Sequence, residues 1–440
     1  MDIGIFNDDV KALKESEYSL SSELDLTSAP PTDVSCVSLT NYDKIFPLQS
    51  VRSSSNPIEF IISTDGNNYV NLADSYINII CRVTKADGTS CGTSDLACPA
   101  NLFFHLMIKD LQVFINGKLV SESSNNYPYI AYIQRLLATP ENLKTSRLKS
   151  EFWYPNAVQD NYEANTGGYK ERYALSKQSK SFAMLGQPVA GVFQQARWFP
   201  PGTEIRIVMR RNEAKFCLDC KTDSSYAYEI DEATFYVARK PVSSKVIDLH
   251  RSQLNLGHTF KYITNDVAIK TLSIPSGLTA ITSESVVLGK IPKQMIIGVV
   301  KSSAAHGQIT ESPMNFQASG LKNVLVNWRG QSDMDSIPLN FETGSTSFDN
   351  FLVGLNTLEK TTSNSLLWNG ISRDNYKNGN VLVAATLLSG MPDAMAAHRQ
   401  GQISITLEFN TSTPEPYTAI VYCMYQSIIE IDANKEVFVK

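Results

Sequence analysis

From about residue 56 the polar and apolar positions of the chain repeat with a period of two. Ile58, Phe60 and Ile62 alternate with residues of the opposite face, as do Ile77, Ile79, Cys81 and Val83, then Val113 and Ile115, then Ile205, Ile207 and Met209. Such alternation places one face of each segment on a core and turns the other outward, the mark of β-strands. Turn signals separate the runs at Asp65-Gly66-Asn67, Asp87-Gly88, Asn116-Gly117 and Pro200-Pro201-Gly202. Long amphipathic helical patterns are missing. One helix is predicted over Ile130–Leu148, with short ones near Ser347–Leu358 and Pro392–His398. The pattern is that of an all-β protein with short helices in its connections.

The strand pattern recurs. Asp110-Leu-Gln-Val-Phe-Ile-Asn-Gly-Lys118 leads through polar residues to an apolar segment ending at Leu137, and Leu321-Lys-Asn-Val-Leu-Val-Asn-Trp-Arg-Gly330 leads likewise to Phe348–Leu355. Gly202–Met209 followed by Ala233–Arg239 closes the first half, and Gly401–Leu407 followed by Tyr417–Tyr425 closes the second. A spacing of about 200 residues between like segments indicates a duplicated β domain. Two domains are expected, near 50–240 and 245–440, each long enough for an eight-stranded sandwich with long loops.

Residues 1–45 stand apart. They hold nine acids against three bases, a net charge of −6, whereas the whole chain has 39 Lys and Arg, 44 Asp and Glu and a net charge of −5. A short helix is expected around Asp9–Tyr18, and Ser19–Ser35, with Pro30-Pro31, reads as an extended linker. This acidic arm lacks the apolar residues for a core of its own.

Hydrophobic residues make up 42% and aromatics 10% of the chain, which excludes a disordered protein. Only 19% of residues are charged, below the roughly 25% of ordinary soluble domains, as suits a surface largely buried against partners. The missing surplus of Lys and Arg argues against direct nucleic-acid binding. No apolar run approaches the ~18 residues of a membrane helix, and the N-terminus has neither a basic nor an apolar signal region. Seven scattered cysteines without such a signal point to reduced thiols.

Motifs for chemistry are sparse. The five histidines lie far apart, and His105, within Phe103-Phe104-His105-Leu106, reads as a half-buried strand residue. Asp333 and Asp335 lack the further oxygens of a cation loop. Cys217-Leu218-Asp219-Cys220 has the sharpest metal-like spacing, but a structural zinc needs a second such pair and Cys91 and Cys98 are badly spaced for it, so free loop cysteines are expected. Lys170–Lys180 interleaves bases with Tyr173, a pattern that can stack nucleic acid, although an exposed loop is the simpler reading. No catalytic residue, metal site or cofactor is expected, and the chain reads as a structural protein rather than an enzyme.

One segment is specific. Phe114-Ile-Asn116-Gly117-Lys118-Leu-Val120, then Ser123-Ser-Asn125-Asn126-Tyr127-Pro128-Tyr129, then Ala131-Tyr-Ile133 to Leu137, resembles the major capsid protein of Polinton/Maverick elements and adintoviruses. Pro57-Ile-Glu-Phe60 and Tyr69-Val-Asn-Leu72 resemble the opening of that protein's first domain, and Ile420-Val-Tyr422 with Ile428-Ile429-Glu430-Ile431-Asp432 its final strand and tail. The resemblance spans about residues 50–440 and is weaker over 245–320. It implies a double jelly roll of the adenovirus-like lineage: two consecutive eight-stranded jelly rolls, three chains forming a pseudo-hexagonal capsomer, and capsomers tiling an icosahedral virion shell. It further implies synthesis in the host cytosol with assembly in nucleus or cytoplasm, and as partners a homotrimer, neighbouring capsomers and a minor capsid, penton or cement protein. Long segments such as Asp160–Ser181 and Leu218–Tyr228 would build outward towers. The runner-up reading is a jelly-roll module that binds carbohydrate or another ligand.

Overall fold

The computed structural model describes residues 40–440 except 53–55, 65, 67, 157, 161, 163–166, 223–224, 329–330, 333–368, 373–374, 377, 389–394 and 396–397. The helices expected over Asp9–Tyr18 and Ser347–Leu358, most of Pro392–His398, and the Asp333/Asp335 pair lie outside those residues.

The first half folds into two antiparallel four-stranded sheets. One has the order β1 (Asn41–Ile45), β10 (Tyr226–Pro241), β3 (Asn68–Lys85), β7 (Phe182–Gly186). The other has β2 (Ile58–Ser63), β8 (Glu204–Arg211), β5 (Ile108–Ile115), β6 (Lys118–Glu122). The second half repeats the plan. One sheet runs β11 (Phe260–Ile274), β18 (Tyr417–Ile431), β13 (Gln294–Lys301), β16 (Leu382–Thr386), with β19 (Val437–Val439) added on β18. Its companion runs β12 (Ala280–Lys290), β17 (Gln400–Phe409), β14 (Leu321–Trp328), β15 (Gln331–Ser332). In both halves the strands enter the sheets in the same sequence order, so the chain is a double jelly roll. The paired segments of the sequence repeat occupy equivalent places: β5 with β14, β8 with β17 and β10 with β18. A two-stranded ribbon, β4 (Cys98–Pro99) with β9 (Leu218–Asp219), joins two long connections of the first roll.

Alternation sets the register. In β8 the buried Ile205, Ile207 and Met209 face inward while Glu204, Arg206 and Arg210 face out. Strand β18 lies between β11 and β13 over much of its length, and its Tyr417–Cys423 stretch is almost wholly buried. One hydrophobic cluster runs without a break from the first roll into the second, including Phe60, Phe199 and Phe235 as well as Tyr262, Phe316 and Tyr422. Among the described residues no helix is long and apolar enough to cross a membrane.

Several sequence expectations need correction. Asn41–Ile45, assigned to the acidic arm, pairs with Arg239–Phe235 as the outer strand of the first sheet. Its Asn-Tyr-Asp-Lys-Ile sequence hides this because four of the five residues are exposed and no apolar face shows. The helix expected over Ile130–Leu148 is shorter and starts earlier. Helix α1 (Phe103–Leu106) precedes it, and α2 covers Tyr127–Ala138. Pro140 forces Thr139 into an extended conformation (φ −97°, ψ 122°), which ends α2. Only a four-residue turn at Glu141–Lys144 and a 3-10 turn at Arg147–Glu151 follow. A helix at Gly167–Ser176 interrupts a segment read as a loop, and another at Ser244–Asn255, unassigned in the sequence, connects β10 to β11.

Candidate functional site

Two of the segments that carry the sequence resemblance, the Asn116-Gly117 turn and helix α2, meet the second roll directly. Asn116-Gly117 forms the two-residue turn from β5 to β6, with φ of 48° and 78°. Both positions need the left-handed region, which Asn and Gly tolerate and other side chains resist. The Asn116 amide is held from both sides: its Oδ1 accepts the Glu204 N–H at 2.8 Å and its Nδ2 donates to the Lys435 carbonyl at 2.9 Å. The first roll's turn is thereby tied to the C-terminal tail. That tail closes on itself. Glu430 pairs with Lys440 at 2.8 Å, Ile429 and Ile431 are buried in β18, and the Asp432 Oδ1 accepts the Glu436 N–H at 2.8 Å. Lys118 is exposed at the start of β6.

Between β6 and α2 the chain makes a tight corner. Ser124 and Asn125 have φ of 50° and 62°. The buried Asp110 carboxylate accepts the Ser123 hydroxyl at 2.8 Å and the Asn125 N–H at 3.2 Å, while Leu111 N–H donates to Ser123 Oγ. Asn126 caps α2 by position but not by side chain, and Pro128 fits the first turn, where its missing N–H has no helical partner to lose. Tyr127 and Tyr129 then point into the core, Tyr129 edge-on to Phe216 at 6.1 Å.

Tyr127 belongs to a buried polar chain that sequence reading does not reveal. Its hydroxyl accepts the Val189 N–H at 3.0 Å and meets His105 Nδ1 at 2.8 Å. His105 Nε2 meets Glu151 at 2.9 Å, and Arg135 grips the same carboxylate with two hydrogen bonds of 2.8 Å. Burial pushes the His105 imidazole below its ordinary pKa, against the pull of Glu151, so the ring is neutral. The Tyr127 O–H then donates to Nδ1, and Nε2–H donates to Glu151. Burial opposes the Glu151 carboxylate too, but His105 and Arg135 more than offset it and hold the carboxyl below its usual range. The half-buried strand histidine of the sequence reading is thus a fully buried residue in a short helix. The run Phe103–Leu106 is continuously apolar around it, a pattern that does not separate strand from helix.

Helix α2 is the partition between the rolls. On its far side Gln134 donates to the Tyr422 hydroxyl at 2.9 Å, and the Tyr132 ring lies 6.3 Å from that of Phe316. Beside it, Phe199 stacks on Tyr262 with 4.5 Å between centroids, and Asp160 accepts the Ser312 N–H and the Asn315 amide at 2.7 and 2.5 Å. At Gly191 a β-carbon would come within 2.9 Å of the Asn265 carbonyl oxygen, so the rolls meet there backbone to backbone.

The chemistry candidates resolve into structural roles. Cys217 and Cys220 are free thiols as expected, but both are buried, Cys217 at the end of the short helix Ala214–Cys217 and Cys220 in the connection just past β9, and the six described cysteines are all unpaired. Among the described residues no three His, Cys, Asp or Glu side chains gather as a metal-binding group. Within Lys170–Lys180, Arg172 is wholly buried against Asp219 at 2.7 Å, which withdraws its charge from any nucleic-acid surface.

No protein-family model matches the chain. It is 19% identical over 399 residues to the uncharacterised protein F54H12.2 of Caenorhabditis elegans, a match covering 88% of this chain and 93% of that protein. Its fold is similar to a chain in the cryo-EM structure of the Sputnik virophage (TM-score 0.65, 12% identity, 98% of this chain and 94% of that one). It is also similar to the Faustovirus major capsid protein (TM-score 0.57, 8% identity, 92% of each chain) and to the mavirus major capsid protein (TM-score 0.54, 10% identity, 99% and 96%). These likenesses bear on the fold, a double jelly roll along nearly the whole chain.

Proposed function

We propose that this chain is a major capsid protein of the Polinton/Maverick and adintovirus type, and that three copies close into a pseudo-hexagonal capsomer that tiles an icosahedral shell. The observation that carries the reading is the repeated strand order: two eight-stranded rolls of one plan, side by side on a shared core, in a fold also found in the mavirus and Faustovirus capsid proteins. Two like rolls per chain give six like bodies in a ring of three, and a three-fold heterologous contact closes without open filaments. Strand edges are managed accordingly. The outer strand β1 exposes Asn41, Tyr42, Asp43 and Lys44, and charge on an edge discourages uncontrolled strand addition. The partners of the capsomer are neighbouring capsomers and a minor capsid, penton or cement protein, and no direct contact to a nucleic-acid sequence is part of the function.

Size-exclusion chromatography with light scattering tests the reading. A trimer that persists on dilution to nanomolar concentration is expected, since such obligate interfaces bury over ~2,000 Å². A monomer at micromolar concentration would overturn it.

A further inference from the structure

The two rolls bury equivalent sheets to different depths. In the second roll, β13 carries no exposed residue from Gln294 to Lys301. Met295, Ile297 and Val299 line one of its faces. The opposite face holds Ile296 and Gly298, in register with Tyr422 and Ile420 of β18, and it is covered from the first roll's side. Gln134 of α2 donates to the Tyr422 hydroxyl at 2.9 Å. The Phe316 ring, 6.3 Å from that of Tyr132, lies so close to Gly298 that a β-carbon there would collide with it. The α2 connection of the first roll is thus the cover of the second roll's sheet.

The first roll's matching sheet is buried on one side. Strand β3, which holds the place of β13, alternates buried and half-buried residues from Ile77 to Val83. Tyr76, Asn78 and Ile80 turn away from the core. Register sets Lys44 of β1, Tyr236 of β10 and Tyr76 in one row across the sheet. Lys44 Nζ lies 5.8 Å from the centre of the Tyr236 ring, and the Arg147 guanidinium 5.7 Å from that of Tyr76. Leu185 of β7 sits opposite Asn78 and is 42% exposed, and Tyr42, on the Lys44 side of β1, is 51% exposed. Tyrosines and an arginine around an exposed leucine are the composition of a protein interface rather than of a solvated sheet.

The internal repeat says what fits there. Two like bodies joined by a heterologous contact leave one unused copy of each contact surface, one on either body. Within the chain, the connection side of the first roll meets the sheet of the second. The sheet of the first roll is the surface left without its counterpart. We infer that the outward face of β1-β10-β3-β7, centred on Tyr76, Tyr236 and Leu185, receives the second roll of a neighbouring copy of this chain. The assignment rests on the capsomer reading and adds to it the face through which the ring closes.

Photo-cross-linking of the full-length protein tests it. A benzophenone side chain placed at Leu185, in a mixture of isotopically heavy and light chains, should link to residues within 245–440 of the other chain. Links confined to one chain, or made only to the first roll of another, would overturn the assignment. Leu185→Glu and Tyr76→Glu should each weaken the trimer at least tenfold, since an unpaired carboxylate would be buried at the contact. Leu249→Glu, at a 56% exposed position of the connecting helix Ser244–Asn255, serves as the control. A trimer weakened no more by the two face variants than by the control would overturn the face and leave the capsomer standing, whereas a monomeric parent protein would overturn the capsomer itself. Where the variants fold poorly, hydroxyl-radical footprinting of the unmodified trimer decides. Leu185 should be labelled at least fivefold more slowly than Leu249, and equal labelling would dismiss the contact.

Discussion

The Asn116 side chain bonds to the main-chain carbonyl of Lys435 across 319 residues of sequence, fastening a turn of the first roll to the tail that ends the second. The same amide accepts the Glu204 N–H, and the residue holds a left-handed φ of 48°. Alanine at this position loses both bonds and resists the backbone conformation. Asn116→Ala is expected to cost about 1–3 kcal/mol in chemical denaturation. It should also make the bond after Lys435 more open to limited proteolysis, a readout that a purely local turn defect would leave unchanged.

The His105–Glu151 pair makes the protein acid-sensitive. The folded pKa of His105 lies below its ordinary 6.5, so on acidification the unfolded chain takes up the proton first. The stability this group contributes is complete above pH 6.5 and is lost as pH falls through the folded value. Glu151, also held below its usual value, adds loss in the same direction at lower pH. Melting temperature should therefore fall from pH 7 to pH 5, and His105→Gln should flatten that slope. Glu151→Ala, which strips the carboxylate from the buried His105 and leaves the part-buried Arg135 only the Gln187 carbonyl, should cost about 1–3 kcal/mol at pH 7.

Gly191 tests the seam. Any side chain there meets Asn265 backbone, which cannot step aside as a flexible side chain could. Gly191→Ala should destabilise by roughly 1–3 kcal/mol and act as a wedge between the rolls. Equal stability of the variant in urea would show that the rolls yield at this point.

The boundary of the N-terminal arm is sharp. Removing residues 1–39 should leave the fold intact, because the described contacts of the first sheet begin with Thr40 and β1. Removing residues 1–45 strips β1 from β10 and breaks the Asp43–Arg239 ion pair at 2.8 Å. Circular dichroism and turbidity should separate the two truncations, the longer one unfolding earlier and aggregating through the bared edge of β10.

The thiols should be inert in the native state. Burial pushes the Cys81 and Cys98 thiols far above their ordinary values, so little thiolate forms at neutral pH. Iodoacetamide should leave both unmodified until denaturant is added, as read by mass spectrometry. A chelator should not move the melting temperature, whereas a structural zinc, worth on the order of 10 kcal/mol, would show at once.

What could be read from the sequence depended on whether a signal was local. Strand alternation at β2, β3, β5 and β8, the Asn116-Gly117 turn and the paired segments at β5 and β14, β8 and β17, and β10 and β18 are all carried by neighbouring residues, and each sits where its pattern places it. Strand β1 was opaque because one half-buried residue in five leaves no period to detect. The end of α2 was legible in principle from Pro140, but the apolar residues beyond it, Leu143 and Leu148, prolong the pattern. The buried network was out of reach: Tyr127, His105 and Glu151 are charged or polar residues 22 and 46 positions apart, and only the packed α1–α2 corner brings them together.

The partition formed by α2 has a consequence for how the protein is made. Gln134 leaves the ribosome 288 residues before Tyr422, the side chain it finally bonds. At about 5–20 residues per second, the interval is roughly 15–60 seconds. During that time the half-finished chain presents the far side of α2 without its partners from the second roll, Tyr422 and, at first, Phe316. Newborn chains are thus most prone to clumping, and in most need of a chaperone, well after the first roll has closed and before the last strand has emerged.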